Sequence, residues 1–178
     1  MIMAAVLVDK QIAEDEICAR CVLHPLMFSE SKGKLKDPAF QPKWGEHDAS
    51  MLRLKYCTKE FCHQHGEHLM VDGQTYVGLA FITPKQVEEV NEWAVSEYSL
   101  KKYDGERYEV NGTEAHVIYA PMNNGKYVDV DIDVFTEGEI DLPMHVDLRY
   151  KVALDDDVRT RFRDFARQLM KKAKFEHK

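Results

Sequence analysis

The segment AHVIYAPMNNGKYVDVDIDVF, residues 115–135, decides the fold that the sequence predicts. Two alternating stretches flank Asn124-Gly125, and this dipeptide between such stretches is a strong signal for the two-residue turn of a β-hairpin. The turn places Asn123 opposite Lys126, and continuing that register places Ala115 opposite Val134. A second turn at residues 136–143 returns residues 144–152 alongside. We therefore predict an antiparallel meander in this part of the chain.

One helix is predicted before the meander in the sequence and another after it. Residues 75–82, TYVGLAFI, read as a buried strand that leads into a helix, where Thr83 and Gln86 have capping-box spacing around Pro84. The apolar face of this helix is formed by Val87, Val90, Ala94 and Tyr98. A terminal helix follows the aspartates at 155–157 and has its own inner face. That inner face is formed by Val158, Phe162, Phe165, Leu169 and Ala173.

The first 70 residues give weaker signals. Residues 8–23 are predicted to be a short helix, residues 50–56 a strand, and residues 29–50 a long ordered loop rich in Gly, Pro, Ser and Lys. The prediction is one α+β domain over residues 1–178, in which helices pack an antiparallel β-meander. Residues 1–70 form a loop-rich part with the Cys and His residues, and residues 71–178 form a strand, helix, meander and helix part.

Composition and charge restrict the class of protein. Of the 178 residues 44% are hydrophobic and 31% are charged, which is typical of a folded domain. The opening MIMAAVLV is too short to span a bilayer, so we expect a cytoplasmic protein with reduced cysteines that does not contact a membrane. The net charge of −7 argues against a protein that is coated with nucleic acid over its whole surface.

Three aspartates alternate along the second arm of the hairpin, at positions 129, 131 and 133. Because strand side chains alternate between faces, all three are predicted on one face, together with His116 from the first arm. On the returning strand, residues 145, 147, 149 and 151 share that face. One interpretation is a solvated face on which Arg149 and Lys151 neutralise the carboxylates.

The other interpretation of this face is a chemical site. Carboxylates would hold Mg²⁺ or Mn²⁺ there, or a histidine and a carboxylate would act as an acid/base pair. The protein would then be a divalent-metal-dependent hydrolase or phosphoryl-transfer enzyme. The candidate catalytic residues are His116, Asp131, Asp133, His145 and Asp147.

The four cysteines fall into two close pairs, with histidines next to the second pair. Structural zinc is often held by two such pairs from separate segments, and it would pin the long loop between them. The candidate zinc ligands are Cys18, Cys21, Cys57, Cys62, His63 and His65. Two alternatives stay open: the thiols are buried as small apolar groups and the histidines lie on a polar loop, or the CxxC pair has a redox role.

Two basic segments are candidates for contact with phosphate. One is the loop segment SKGKLK, which is followed by Phe40 and Trp44, and basic residues among aromatics suit phosphate contact with base stacking. The other is the terminal segment 158–178, which has eight basic and two acidic residues and so carries +6, leaving −13 for the rest of the chain. Solvated charge is the alternative for the loop, and folding back onto the acidic body for the terminal helix. The candidate contact residues are Lys32, Lys34, Lys36, Arg163, Arg167 and Lys171.

The sequence thus favours an interaction or accessory protein that is stabilised by zinc and contacts nucleic acid. A protein is the first expected partner, and nucleic acid is the second. The metal-dependent enzyme described above is the alternative.

Overall fold

A computed structural model describes residues 6–43, 45–99, 114–128, 134–135, 140–151 and 158–178. Within these ranges the centre of the fold is a six-stranded sheet in the order β6-β3-β1-β2-β5-β4, and every neighbouring pair is antiparallel. Its strands are β1 (Cys18–His24), β2 (Asp48–Arg53), β3 (Thr75–Ile82), β4 (Ala115–Tyr119), β5 (His145–Tyr150) and β6 (Lys174–His177).

In the described part of the chain three helices pack on this sheet, which confirms the α+β class. They are α1 (Lys59–His68), α2 (Pro84–Ser99) and α3 (Val158–Lys172), and a 3₁₀ turn covers Asp37–Ala39. Among the described residues three short ladders lie outside the main sheet. They pair Val6–Leu7 with Val134–Phe135, Phe28–Ser29 with Lys34–Leu35, and Met122–Asn123 with Lys126–Tyr127.

The predicted capping box of α2 is confirmed. The Thr83 amide donates to Gln86 Oε1 at 3.0 Å, and the Gln86 amide donates to Thr83 Oγ1 at 3.3 Å. One turn further on, the Asn91 side chain donates to the Ala115 carbonyl and accepts from its amide, both at 2.9 Å. These bonds fix α2 against β4, because a buried amide side chain is stable only when its polar atoms are paired.

The two faces of the sheet are covered by different helices. The ring of Tyr150 lies 4.8 Å from the ring of Phe162 and 5.3 Å from that of Phe165, so α3 packs on the face that carries Tyr150. On the other face, Cys21 Sγ donates to the Cys62 carbonyl of α1. The predicted inner face of α3 is confirmed at Phe162, Phe165 and Leu169, which are buried.

The predicted short helix at residues 8–23 is wrong, because residues 18–24 form β1 near the middle of the sheet. A strand covered on both faces loses the alternation of apolar and polar residues that identifies strands in sequence. The polar loop expected around the second cysteine pair is also wrong. Residues 59–68 form α1, whose N-cap Thr58 accepts a hydrogen bond from the Phe61 amide at 3.1 Å.

The turn of the hairpin is confirmed, and the long pairing beyond it is not. Asn123 pairs with Lys126, and Asn124 and Gly125 have φ angles of 50° and 74°, as the predicted turn requires. The predicted pairing of Ala115 with Val134 is wrong, because Ala115 pairs with Tyr150 and Val134 pairs with Leu7. Pro121 interrupts the first arm, since it has no amide hydrogen to donate. Before this break β4 pairs directly with β5.

Candidate functional site

His145 and Asp147 lie side by side on β5, on the sheet face that the alternation predicts. The solvated-face interpretation is wrong for both, since His145 is 2% exposed and Asp147 is 0% exposed. His145 Nδ1 lies 2.7 Å from the Ala120 carbonyl oxygen, so this nitrogen carries the hydrogen and donates it. The same nitrogen is 3.9 Å from Asp147 Oδ1. The structure therefore brings two of the five catalytic candidates together.

Burial shifts the pKa of both groups. It raises the pKa of Asp147 to about 6, and the nearby Tyr127 and Arg149 partly offset this rise. It lowers the pKa of His145 to about 4. At neutral pH a buried carboxylate thus lies beside a neutral imidazole. Neither oxygen of Asp147 has a hydrogen-bond partner with normal geometry, although the Tyr127 side chain is near enough to favour the charged form. Shifts of this kind are frequent at functional sites and also occur in purely structural networks.

The other catalytic candidates do not join this pair. His116 is 52% exposed, and its Nε2 lies 2.5 Å from Glu114 Oε1 rather than near Asp147. Asp131 and Asp133 lie outside the described residues. At the far end of β5 Arg149 is half-exposed, and its Nε is 2.7 Å from Asp48 Oδ1 of β2, a partner that the sequence interpretation did not name.

Three of the four cysteines gather between β1 and α1. Cys57 Sγ and Cys62 Sγ are 3.7 Å apart, and Cys21 Sγ is 3.6 Å from the Cys62 carbonyl oxygen. Cys18 lies on the opposite face of the sheet, because residues three apart on a strand point to opposite sides. The four thiols therefore do not converge on one point.

The two histidines next to the second cysteine pair have other surroundings. His63 Nδ1 lies 2.7 Å from the Tyr76 hydroxyl, and His65 is half-buried, which lowers its pKa. Throughout the described ranges, no group of three or more His, Cys, Asp or Glu side chains is arranged to hold a metal ion. Structural zinc stays a prediction from the sequence, without a ligand cluster in this part of the chain.

The two basic segments meet at one groove. It has a volume of about 930 Å³ and lies between the loop that ends in the 3₁₀ turn and the C-terminal part of α3 with β6. We call it the basic groove. Its basic residues are Lys34, Lys36, Arg167 and Lys171, and its other lining residues are Gly33, Leu35, Asp37, Pro38, Met170, Ala173, Phe175 and His177.

The basic side chains of the groove differ in how they are engaged. Arg167 Nη2 is 2.7 Å from Asp37 Oδ2, so this ion pair joins α3 to the 3₁₀ turn. Lys36 Nζ donates to the Pro25 carbonyl at 2.9 Å. Lys34 is exposed, as is Lys171, and no ion pair joins either one to another described residue. These two ammonium groups are open to an external anion.

Aromatic rings form one wall of the groove. Phe175 and His177 of β6 have ring centroids 4.8 Å apart, and Phe28 lies behind them at 4.9 and 5.2 Å. This wall is not predicted from the residue pattern, because Phe175 closely follows the predicted inner face of the terminal helix. The alternation of Lys174 to His177 was the available signal, and it is only four residues long.

The remaining phosphate candidates lie beside the groove or inside the protein. Lys32 lines a neighbouring depression of about 510 Å³ that also includes Lys34 and Lys36. Arg163 lies on the exposed side of α3, 3.8 Å from Asp164. Phe40 is fully buried, so it anchors the loop and does not stack on a ligand. Trp44 lies outside the described residues.

Comparison of the chain with protein-family models, with curated proteins and with solved structures found no match. Among the described helices, none is both long enough and apolar enough to cross a membrane.

Proposed function

We propose that this protein binds single-stranded nucleic acid in the basic groove. The observation that carries the proposal is the meeting of Lys34 and Lys36 with Arg167 and Lys171, which are more than 120 residues away in the sequence, around one groove of about 930 Å³. Each basic segment alone is explained by solvation. Both segments lie beside an aromatic wall. A ligand that has both phosphates and bases would contact the basic residues and the aromatic rings together.

The charge of the groove supports a phosphate ligand. Four basic residues and one acidic residue line it, and the acidic residue, Asp37, is already paired with Arg167. The whole chain carries −7, so the groove is a local positive site on an acidic protein. Such a site attracts a polyanion to one place and leaves the remaining surface repulsive.

The aromatic wall supports a single strand rather than a duplex. Phe175 and His177 both line the groove, and unpaired bases stack on aromatic rings of this kind. The bases of a duplex are stacked on each other and are not free to do this. Stacking contributes about 1 to 3 kcal/mol per base and depends little on the base, so we expect weak sequence preference.

Fluorescence anisotropy with a labelled single strand of about 12 nucleotides tests the proposal. The double variant Lys34→Gln/Lys171→Gln is compared with Lys55→Gln/Lys126→Gln, which removes the same charge from exposed lysines outside the groove. If each groove lysine contacts one phosphate, the slope of log K against log salt falls by about 1.4, at about 0.7 per contact. The control variant keeps the slope of the wild type.

Three outcomes would contradict the proposal. The first is the absence of binding at low salt, and the second is an equal loss in the two double variants. The third is tighter binding of a duplex or of an acidic peptide than of the single strand, which would assign the groove to a different class of partner.

A second candidate function rests on the buried pair of β5. Asp147 has two carboxylate oxygens without a hydrogen bond beside neutral His145, which favours a divalent cation or a proton-transfer role. Calorimetric titration with Mg²⁺ and Mn²⁺ tests it, with Asp147→Asn as the variant and Asp48→Asn as the control. Binding that is lost only in Asp147→Asn supports this function, and equal heats in all three proteins contradict it.

A further inference from the structure

The two cysteines beside α1 occupy a pair of positions that helix geometry brings together. Thr58 is the N-cap, so Cys57 is the residue before the cap and Cys62 is the fourth residue of the helix. Side chains at these positions normally pack on each other across the first turn. Here both are thiols, and their sulfur atoms are 3.7 Å apart.

The surroundings of the pair distinguish the two thiols. Cys57 is partly exposed, whereas Cys62 is 0% exposed and packs under α1. Cys57 Sγ also lies 3.3 Å from the Arg53 carbonyl oxygen, which holds it beside the helix. A reagent in solution therefore reaches Cys57 first, and Cys62 is the nearest group that can react with the product.

The third nearby thiol is not positioned in the same way. Cys21 Sγ contacts the Cys62 carbonyl oxygen at 3.6 Å, on the backbone side of the residue. It lies within the long ladder between β1 and β3, where it pairs with Leu79, so its backbone has little freedom to move toward Cys57. Cys57 lies between β2 and α1, in a connection where a small backbone shift is less costly.

We propose that Cys57 and Cys62 form a site of reversible oxidation that closes to an intramolecular disulfide on reaction with hydrogen peroxide. The thiolate of Cys57 attacks one peroxide oxygen, an S–O bond forms, the O–O bond breaks and hydroxide leaves. The sulfur of Cys62 then attacks the sulfenic acid, an S–S bond forms and water leaves. Two electrons pass from the two thiols to the peroxide, which is reduced to two molecules of water.

The geometry needed for the second step is close to that of the reduced protein. The sulfur atoms must approach from 3.7 Å to about 2.05 Å, the length of a disulfide bond. Because Cys57 precedes the N-cap, the movement involves the connection before α1 and not the hydrogen bonds of the helix.

Peptide mapping of the wild-type chain tests the proposal directly. The purified protein is treated with hydrogen peroxide, alkylated and digested, and its zinc content is measured beforehand. We expect a mass loss of about 2 Da, a cross-linked peptide that joins Cys57 to Cys62, and full reversal by a dithiol reductant. A disulfide that involves Cys18 or Cys21, no disulfide, or a zinc ion that protects the pair would each overturn the proposal.

Variants assign the order of the two steps. Cys62→Ser is expected to stop at a sulfenic acid on Cys57, which dimedone traps, and Cys57→Ser is expected to lose both products. Cys18→Ser is the matched control and retains the disulfide. If Cys57→Ser still forms a trapped sulfenic acid at Cys62, the assignment of the attacking thiol is overturned. Circular dichroism identifies any variant that does not fold, and the result for the wild-type chain then decides.

Discussion

Replacement of Asp147 by asparagine is expected to stabilise the protein near neutral pH, which is the reverse of the usual effect of a substitution in the core. The Asp147 carboxylate is fully buried on β5 without a hydrogen bond of normal geometry, and burial raises its pKa from 3.8 to about 6 even with Tyr127 nearby. Asparagine has nearly the same shape and no charge. The variant therefore removes the cost of keeping a negative charge in the interior.

The size of the effect follows from the pKa shift. A rise of about two pH units at about 1.4 kcal/mol per unit gives an upper limit of about 3 kcal/mol for the cost of ionised Asp147. The asparagine amide adds a buried donor without a partner, which returns about 1 to 3 kcal/mol of that gain. We expect a net increase of up to about 2 kcal/mol in the free energy of unfolding.

The electrostatic cost of burying Asp147 depends on pH. Below pH 3.8 the carboxyl is protonated in both the folded and the unfolded chain, so it has no electrostatic cost. Between pH 3.8 and about 6 the unfolded chain releases this proton more readily, and stability falls as the pH rises. Above about pH 6 both states are ionised and the full cost remains. The advantage of Asp147→Asn should therefore be present at about pH 7.5 and small at about pH 4.5.

Urea unfolding followed by circular dichroism measures this difference at the two pH values. Asp48→Asn is the matched control, because Asp48 lies on the same face of the adjacent strand but is partly exposed and paired with Arg149. We expect this control to lose a little stability. A destabilised Asp147→Asn at about pH 7.5, or a gain of equal size at both pH values, would refute the reasoning.

Two further substitutions test how the sheet is held together. Glu16→Gln should lower the free energy of unfolding by about 3 kcal/mol in urea titrations, because it leaves the buried guanidinium of Arg53 without its carboxylate. Glu14→Gln is the control and should change this free energy little, since Glu14 is exposed. Near-equal values for the two variants would contradict this. Gly78→Ala should lower it by about 2 to 4 kcal/mol and lower the melting temperature, because Gly78 has a φ of +155° and a Cβ there would overlap the Glu176 carbonyl oxygen of β6. An unchanged melting temperature would show that β6 is not held as closely as described.

Local signals in the sequence predicted the elements that depend on neighbouring residues. The capping box at Thr83 and Gln86 and the turn at Asn124-Gly125 are both confirmed, since each is decided within four residues. The sheet order was not predictable in this way. Strand β5 pairs with β2, about a hundred residues earlier, and no local pattern specifies such a partner. Helix α1 was missed because Gly66 and the histidines have low helix propensity, and packing of Gly66 against Tyr76 overrides that preference.

In the candidate sites, too, residue types were predictable from the sequence, whereas contacts between distant segments were not. Charge and residue type identified Lys34, Lys36, Arg167 and Lys171 as phosphate candidates, but their meeting in one groove depends on the path of the chain between them. The alternation of β5 correctly predicted which face of the sheet carries Asp147. It did not predict that this side chain is buried. Exposure depends on what covers a face, and here the covering residues, such as Tyr127, come from another part of the chain.

Photo-cross-linking to a single-stranded oligonucleotide that contains 4-thiouracil tests the central claim most directly, because it reports the position of the bound bases. We predict that the main cross-linked peptide after digestion with trypsin contains Phe175 and His177, and that excess unlabelled single strand abolishes it. Cross-links confined to other surfaces, or a yield at this peptide that does not respond to the competitor, would contradict the assignment of the basic groove as the binding site.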